Sequence, residues 1–286
     1  MLLTGDLGFM VLEPFADRFP NRFFNVGVAE QNMIGIATGL AASGLIPFVY
    51  SIATFASLRP YEAIRNGPVM HRLPVRILGV GGGFEYGPAG TTHHALEDIA
   101  VMRAQPGLAV MAPADSPQAA AILRATWDEP GPVYYRLGKR ETAPVAGLDG
   151  AFELGRLQII RDGRDAALVT LGPMAVDALE AALQLEASGI SCAVIVLASI
   201  SPPPVADLHA WLARVPLVVT AEAHYVTGGI GSLVAEVIAE AELSCRLVRC
   251  GVKGSPGRHT GSEAWLRSQH GLTAEHLASV VRTHTR

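Results

Sequence analysis

Cysteine is scarce in this chain. Three residues, Cys192, Cys245 and Cys250, stand in 286, with no metal-site spacing and an odd count. That excludes a disulfide scaffold and reads as reduced core thiols of a cytoplasmic protein. Charge is low too, at 17% of residues, with a net charge of −4 and a pI near 6.1. No Lys or Arg run stands out, so nothing points to a nucleic-acid partner. Long apolar runs are missing, and none reaches the roughly 18 to 20 residues of a membrane span. The stretch MLLTGDLGFM has neither a basic region nor a small-residue cleavage site, so it does not read as a secretion signal. No H-E-x-x-H, Cys/His cluster, G-x-S-x-G elbow or P-loop lysine is found, which removes the common metal and covalent-hydrolase readings.

What is plentiful is apolar: 50% of residues, with a mean hydropathy of +0.31. Disorder does not fit such a composition. The length suits about two domains, and so apolar a chain is expected to bury further surface in an oligomer.

Short apolar runs alternate with amphipathic stretches. LLTG, FFNVG, IPFVY, VRILGV, LAVMAP and VYYRL read as strands, with helices expected at 30–43, 56–66, 95–104 and 116–128. This alternation predicts an α/β fold with a mostly parallel sheet flanked by helices. KRETAPVAGLDG breaks the pattern with Pro144, Gly147 and Gly150, and reads as a linker. The alternation then restarts with AALVTLG, a helix at 174–188, CAVIVLA, LVVTAEA, a helix at 230–241 and CRLVRCGV. The prolines of SPPP end one unit and can open a helix. The expected organisation is a first domain at 1–138, a linker at 139–151 and a second α/β domain at 152–286.

Two features carry chemistry. The first is Glu30, where FFNVGVAEQN runs into an apolar helix. A carboxylate among Val28, Met33 and Ile34 is expected to be desolvated, which raises its pKa. The competing reading is a helix-start acid meeting the dipole. The second is the loop GVGGGFEYGPAGTTHHALED, with six glycines and the adjacent His93 and His94. It follows a strand, where parallel sheets place their sites. Phe84 stands where the last glycine of a G-x-G-x-x-G motif would be, so a dinucleotide fingerprint is excluded. Imidazoles shuttle protons near neutral pH, and only one of two adjacent histidines is expected to face a site. Without a metal set, a buried acid and a Gly/His loop suggest an organic cofactor.

FNVGVAEQN, FVYSIATFASLRPYEAIRN, the loop through AVMAPAD, and GPVYYRLGK together resemble the pyrimidine-binding domain of transketolases. TAEAHYVTGGIGSLVAEVI resembles their C-terminal domain. The resemblance covers nearly the whole chain and is nearest to the second, short subunit of split transketolases. The beta subunit of 2-oxo acid dehydrogenases and 1-deoxyxylulose-5-phosphate synthase share the architecture and stay as alternatives, as does a ketol or acyl transferase of specialised metabolism. The resemblance implies thiamine diphosphate as cofactor and transfer of a two-carbon ketol unit from a ketose, such as a sugar phosphate, to an aldehyde. It implies that Glu30 bonds a ring nitrogen of the aminopyrimidine, and that Phe55 packs on that ring. Arg59, Tyr61 and Asp6 are expected to line the cofactor. His93 is expected to meet substrate hydroxyls and move protons, with His94 beside it. Arg136 is expected to bind the sugar phosphate, a task for which a forked guanidinium is suited.

The family holds Mg²⁺ and the diphosphate on a GDG…NN segment. LDGAF lacks the downstream asparagines. An alpha subunit is therefore expected to bring that segment, in an α₂β₂ assembly in which two copies of this chain pair. Ala89, Gly81 and the region near Met10 depart from residues typical of the family, which bears on the substrate. The chain begins at its first strand, without the helix that usually precedes it, and reads as a shortened form.

Overall fold

A computed structural model describes residues 1–285. The first half runs β1 (Leu2–Thr4), α1 (Glu13–Arg18), β2 (Phe23–Asn25), α2 (Glu30–Ala42), β3 (Phe48–Ile52), α3 (Ala53–Ser57), α4 (Tyr61–Ile64), β4 (Arg76–Val80), α5 (Asp98–Arg103), β5 (Ala109–Met111), α6 (Ser116–Thr126) and β6 (Val133–Leu137). The second half runs β7 (Gln158–Arg161), β8 (Ala166–Thr170), α7 (Met174–Glu186), β9 (Cys192–Val196), β10 (Ser199–Ser201), α8 (Val205–Leu212), β11 (Leu217–Tyr225), α9 (Ile230–Glu240), β12 (Arg246–Val252), α10 (Glu263–Gln269) and α11 (Ala274–His284).

Two helix-flanked sheets result, the α/β architecture that the alternation implied. The first has the order β10-β5-β6-β4-β3-β1-β2 and the second β12-β11-β8-β9-β7. Strands β1 to β6 are mutually parallel, as are β8, β9, β11 and β12. Each parallel pair needs a crossover, and the helices supply it. Every residue of β8 and β9 is buried, the mark of strands covered on both faces. On α11 the buried Ala274, Leu277, Ala278 and Val281 form one apolar stripe.

Two strands run against the pattern. β7 is antiparallel to β9, and β10, from the second half, is antiparallel to β5 of the first sheet. The sheets are thereby tied together across the sequence division. The segment expected as a linker has no helix or strand, yet it is pinned. Asp115 caps α6 through Gln118 N and accepts Val145 N at 2.7 Å, while Thr142 N donates to Ser116 Oγ at 2.9 Å. Val145 and Leu148 are buried. The helix expected at 56–66 is broken: α3 ends at Ser57 and α4 starts at Tyr61, on either side of Arg59.

Candidate active site

Glu30 opens α2 at the mouth of the first sheet and is 2% exposed. Its carboxylate does not turn to the free N–H groups of its helix. Oε1 accepts from Ser51 Oγ at 3.0 Å, and Oε2 from Arg59 Nη1 at 3.0 Å. The helix-dipole reading therefore does not describe this acid. Nor does a wholly apolar pocket. Met33 and Ile34 are buried behind it, but Val28 is 70% exposed, and both oxygens have polar partners. Ser51, at the end of β3, was not singled out from sequence. Its signal was its place within FVYSIATF, on the strand leading to Phe55.

Three of the expected residues gather here. The Arg59 guanidinium carbon lies 4.2 Å from the centroid of the Phe55 ring while its Nη1 holds Glu30. His93 meets the same Phe55 ring edge-on, with centroids 5.0 Å apart. Its Nδ1 is 2.9 Å from Thr92 Oγ1, which leaves Nε2 for a hydroxyl or a proton. Tyr86 tilts on His93 at 6.2 Å, and the exposed Lys139 sits over Tyr86 with Nζ 4.1 Å from the centroid. Beside Tyr86, burial pushes the Glu85 carboxyl up to about 7.

Asp6 stands one step out. Its Oδ1 accepts from Asn25 Nδ2 at 2.8 Å, and Asn25 Oδ1 accepts both Asp6 N and Gly27 N at 3.0 Å. This clamp joins the ends of β1 and β2 just before Glu30. Gly5 lies inside it, where a Cβ would come within 3.6 Å of Glu30 Oε1. Tyr61 starts α4 two residues past Arg59 and makes no hydrogen bond to Glu30.

His94 and Arg136 are placed elsewhere. His94 is 3% exposed and packs edge-on against Phe84 at 5.1 Å, and burial lowers its pKa. Arg136 is 6% exposed. Its Nε holds Asp98 at 2.9 Å, and its Nη2 donates to the carbonyls of Ala95 and Ala223 at 2.9 and 3.0 Å. It joins the glycine loop to the second sheet instead of reaching for Glu30. The glycines make room for this. A Cβ on Gly82 would meet Arg136 Nε at 2.5 Å, and Gly81, at φ +81°, turns the loop under Tyr86.

An acid, a flat aromatic face and a histidine converge at the carboxyl ends of a parallel sheet, where organic ligands bind in this fold class. The transketolase pyrimidine-binding domain model matches residues 5–144, and the transketolase C-terminal domain model matches residues 155–277. An apulose-4-phosphate transketolase subunit of Actinobacillus succinogenes is 32% identical, over 94% of this chain and 87% of its own. The 6-deoxy-6-sulfo-D-fructose transketolase subunit of a Clostridium species is 35% identical, over 95% of this chain and 84% of its own. A solved split gene transketolase, described as an inactive beta4 tetramer, superposes with a TM-score of 0.88 at 39% identity, covering 100% of this chain and 91% of that one. The chain belongs to the transketolase family, and it corresponds to the second chain of the family's split members.

Proposed function

We propose that the chain is the catalytic beta subunit of a two-chain, thiamine diphosphate-dependent transketolase. It moves a two-carbon ketol unit from a ketose to an aldehyde. The observation that carries this reading is the buried Glu30, with one oxygen fixed by Ser51 and the other on the half-exposed Arg59, whose guanidinium lies over Phe55.

These residues fit the aminopyrimidine end of the cofactor. Phe55 offers a ring face, Glu30 a carboxylate for a ring nitrogen, and Gly5 a close wall. Bound thiamine diphosphate supplies a nucleophilic carbon able to carry a two-carbon unit. The chain's own residues do the rest. Glu30 would hold a proton against the ring nitrogen of the bound cofactor. Ser51 fixes the carboxylate in one orientation. His93 presents Nε2 to substrate hydroxyls and moves their protons. Phe55 packs on His93 and would offer its ring face to the cofactor ring. The Asp6–Asn25 clamp keeps the Glu30 turn rigid.

A partner supplies the other half. Among the described residues no group of three or more His, Cys, Asp or Glu is placed to hold a metal ion. Mg²⁺ and the diphosphate are assigned to an alpha subunit with a GDG…NN segment, because LDGAF lacks the downstream asparagines. Apolar side chains are exposed on the rim beside Glu30 and Arg59: Val28 is 70% exposed and Leu58 41%. Such a rim suits a docked chain. Two relatives are named for ketoses bearing a phosphate or a sulfo group. Their names support a donor with an anionic end, for which the exposed Lys139 near His93 is the cation assigned here. Co-expression with a GDG…NN chain tests the proposal. Ketol transfer from a ketose phosphate, dependent on thiamine diphosphate and Mg²⁺, should require both chains. Full turnover by this chain alone would refute the two-chain reading.

A further inference from the structure

We propose that Arg59 occupies the pyrimidine seat of the cofactor-free chain and must be displaced when the cofactor binds. This rests on the reading of Glu30 as the pyrimidine contact.

Arg59 touches both groups expected to hold that ring. Its guanidinium carbon is 4.2 Å from the Phe55 centroid, and its Nη1 is 3.0 Å from Glu30 Oε2. A guanidinium and an aminopyrimidine share a shape: flat, delocalised and edged with N–H donors. Each can lie on an aromatic face while donating to a carboxylate. The two cannot do so on the same face and oxygen at once.

The exposures give the direction of exchange. The Glu30 side chain is 1% exposed and that of Arg59 49%. The acid is fixed in the core, and its partner reaches in from outside, so Arg59 can withdraw without opening the core. Its backbone is suited to that movement, since it lies in the break between α3 and α4. The need for a stand-in is physical. A buried carboxylate left without a counter-charge is costly, so an empty site is stabilised by a cation the chain itself provides. Binding then replaces one planar donor by another, and the released guanidinium stays at the mouth beside His93.

The test uses the full chain alone, with the free aminopyrimidine moiety of the cofactor as probe, followed by ligand-observed NMR. Arg59→Ala should bind the probe about tenfold more tightly than wild type, because one charge-assisted bond no longer competes for the seat. Thermal unfolding gives a readout independent of any ligand. Arg59→Ala should lower the midpoint, and most of that loss should vanish when Glu30→Gln is added, since the buried charge has gone. Should the Ala variant not fold, Arg59→Gln carries the same comparison. Equal probe affinity in wild type and variant, lost in Glu30→Gln, would overturn the displacement while the pyrimidine seat stands. Probe binding in neither would overturn the seat, and the displacement with it.

Discussion

Two buried glutamates carry their carboxylates at helix starts, Glu30 from α2 itself and Glu222 from strand β11, and they are held in opposite ways. Glu222 accepts Ile230 N at 2.8 Å and Gly231 N at 2.9 Å, the opening amides of α9. A Cβ on Gly229 would come within 1.9 Å of its Oε2, so the helix start is fitted tightly around it. Burial pushes Glu222 up to about 7 and the neighbouring His224 down to about 4. Glu30 leaves its own helix amides aside and takes two side chains, one of them half exposed. Backbone donors cannot leave, whereas a surface arginine can. An acid that completes a helix is structural, and an acid whose partner is replaceable can exchange it for a ligand.

This contrast can be broken most sharply by exchanging each acid for its amide. In the assembled enzyme Glu30→Gln should cut ketol transfer by about 10²- to 10⁴-fold, the range of a lost proton-transfer group. Glu222→Gln should leave turnover per folded molecule close to wild type. Similar losses from both would erase the distinction.

The Asp98–Arg136 pair marks the structural side of the same line. It is buried on both sides, at 0% and 5% side-chain exposure, and Tyr134 Oη adds a bond to Asp98 at 2.8 Å. Arg136→Ala leaves the aspartate charge unmatched and should cost about 3–5 kcal/mol in urea unfolding. Replacing both partners by apolar residues should cost much less. An exposed phosphate ligand would instead show little change in stability and a higher KM for phosphorylated donors.

The smallest effect is a slope. Folded Glu222 binds its proton up to about 7, against 4.5 for an ordinary glutamate. Its protonation favours the fold below pH 4.5, and that contribution is lost as pH rises towards 7. His224 acts in the opposite sense. Its contribution is present above pH 6.5 and lost as pH falls towards 4. The two oppose each other, so wild-type stability should change little between them. Glu222→Gln should make stability rise more steeply with pH across this window, and His224→Asn should make it fall. Urea midpoints across the window decide this, and unchanged slopes in both variants would remove these groups from the linkage.

Much of this was legible in the sequence, for identifiable reasons. A strand such as CAVIVLA is buried on both faces, so its apolar run is unbroken. The loop after VRILGV lies where parallel sheets carry their sites, and it brings His93 to Phe55. The remainder depended on long-range partners. Ser51 reaches Glu30 across 21 residues and Arg59 across 29, and no local pattern encodes either bond. Arg136 reads as a phosphate ligand in sequence because Asp98 and Ala223, which hold it, lie in other elements. The break at 58–60 does carry a local signal, Pro60, which becomes the N-cap of α4 although the apolar spacing runs on through it. The short strand β10 has too few residues to signal that it returns to the first sheet.

The most direct measurement needs no substrate. In the complex with the alpha subunit, loaded with thiamine diphosphate and Mg²⁺, exchange of the thiazolium proton for deuterium reports Glu30's part alone. The expected result is exchange slowed by about 10²-fold or more in Glu30→Gln, with Glu222→Gln at the wild-type rate. Wild-type exchange in Glu30→Gln, with cofactor bound, would contradict the account.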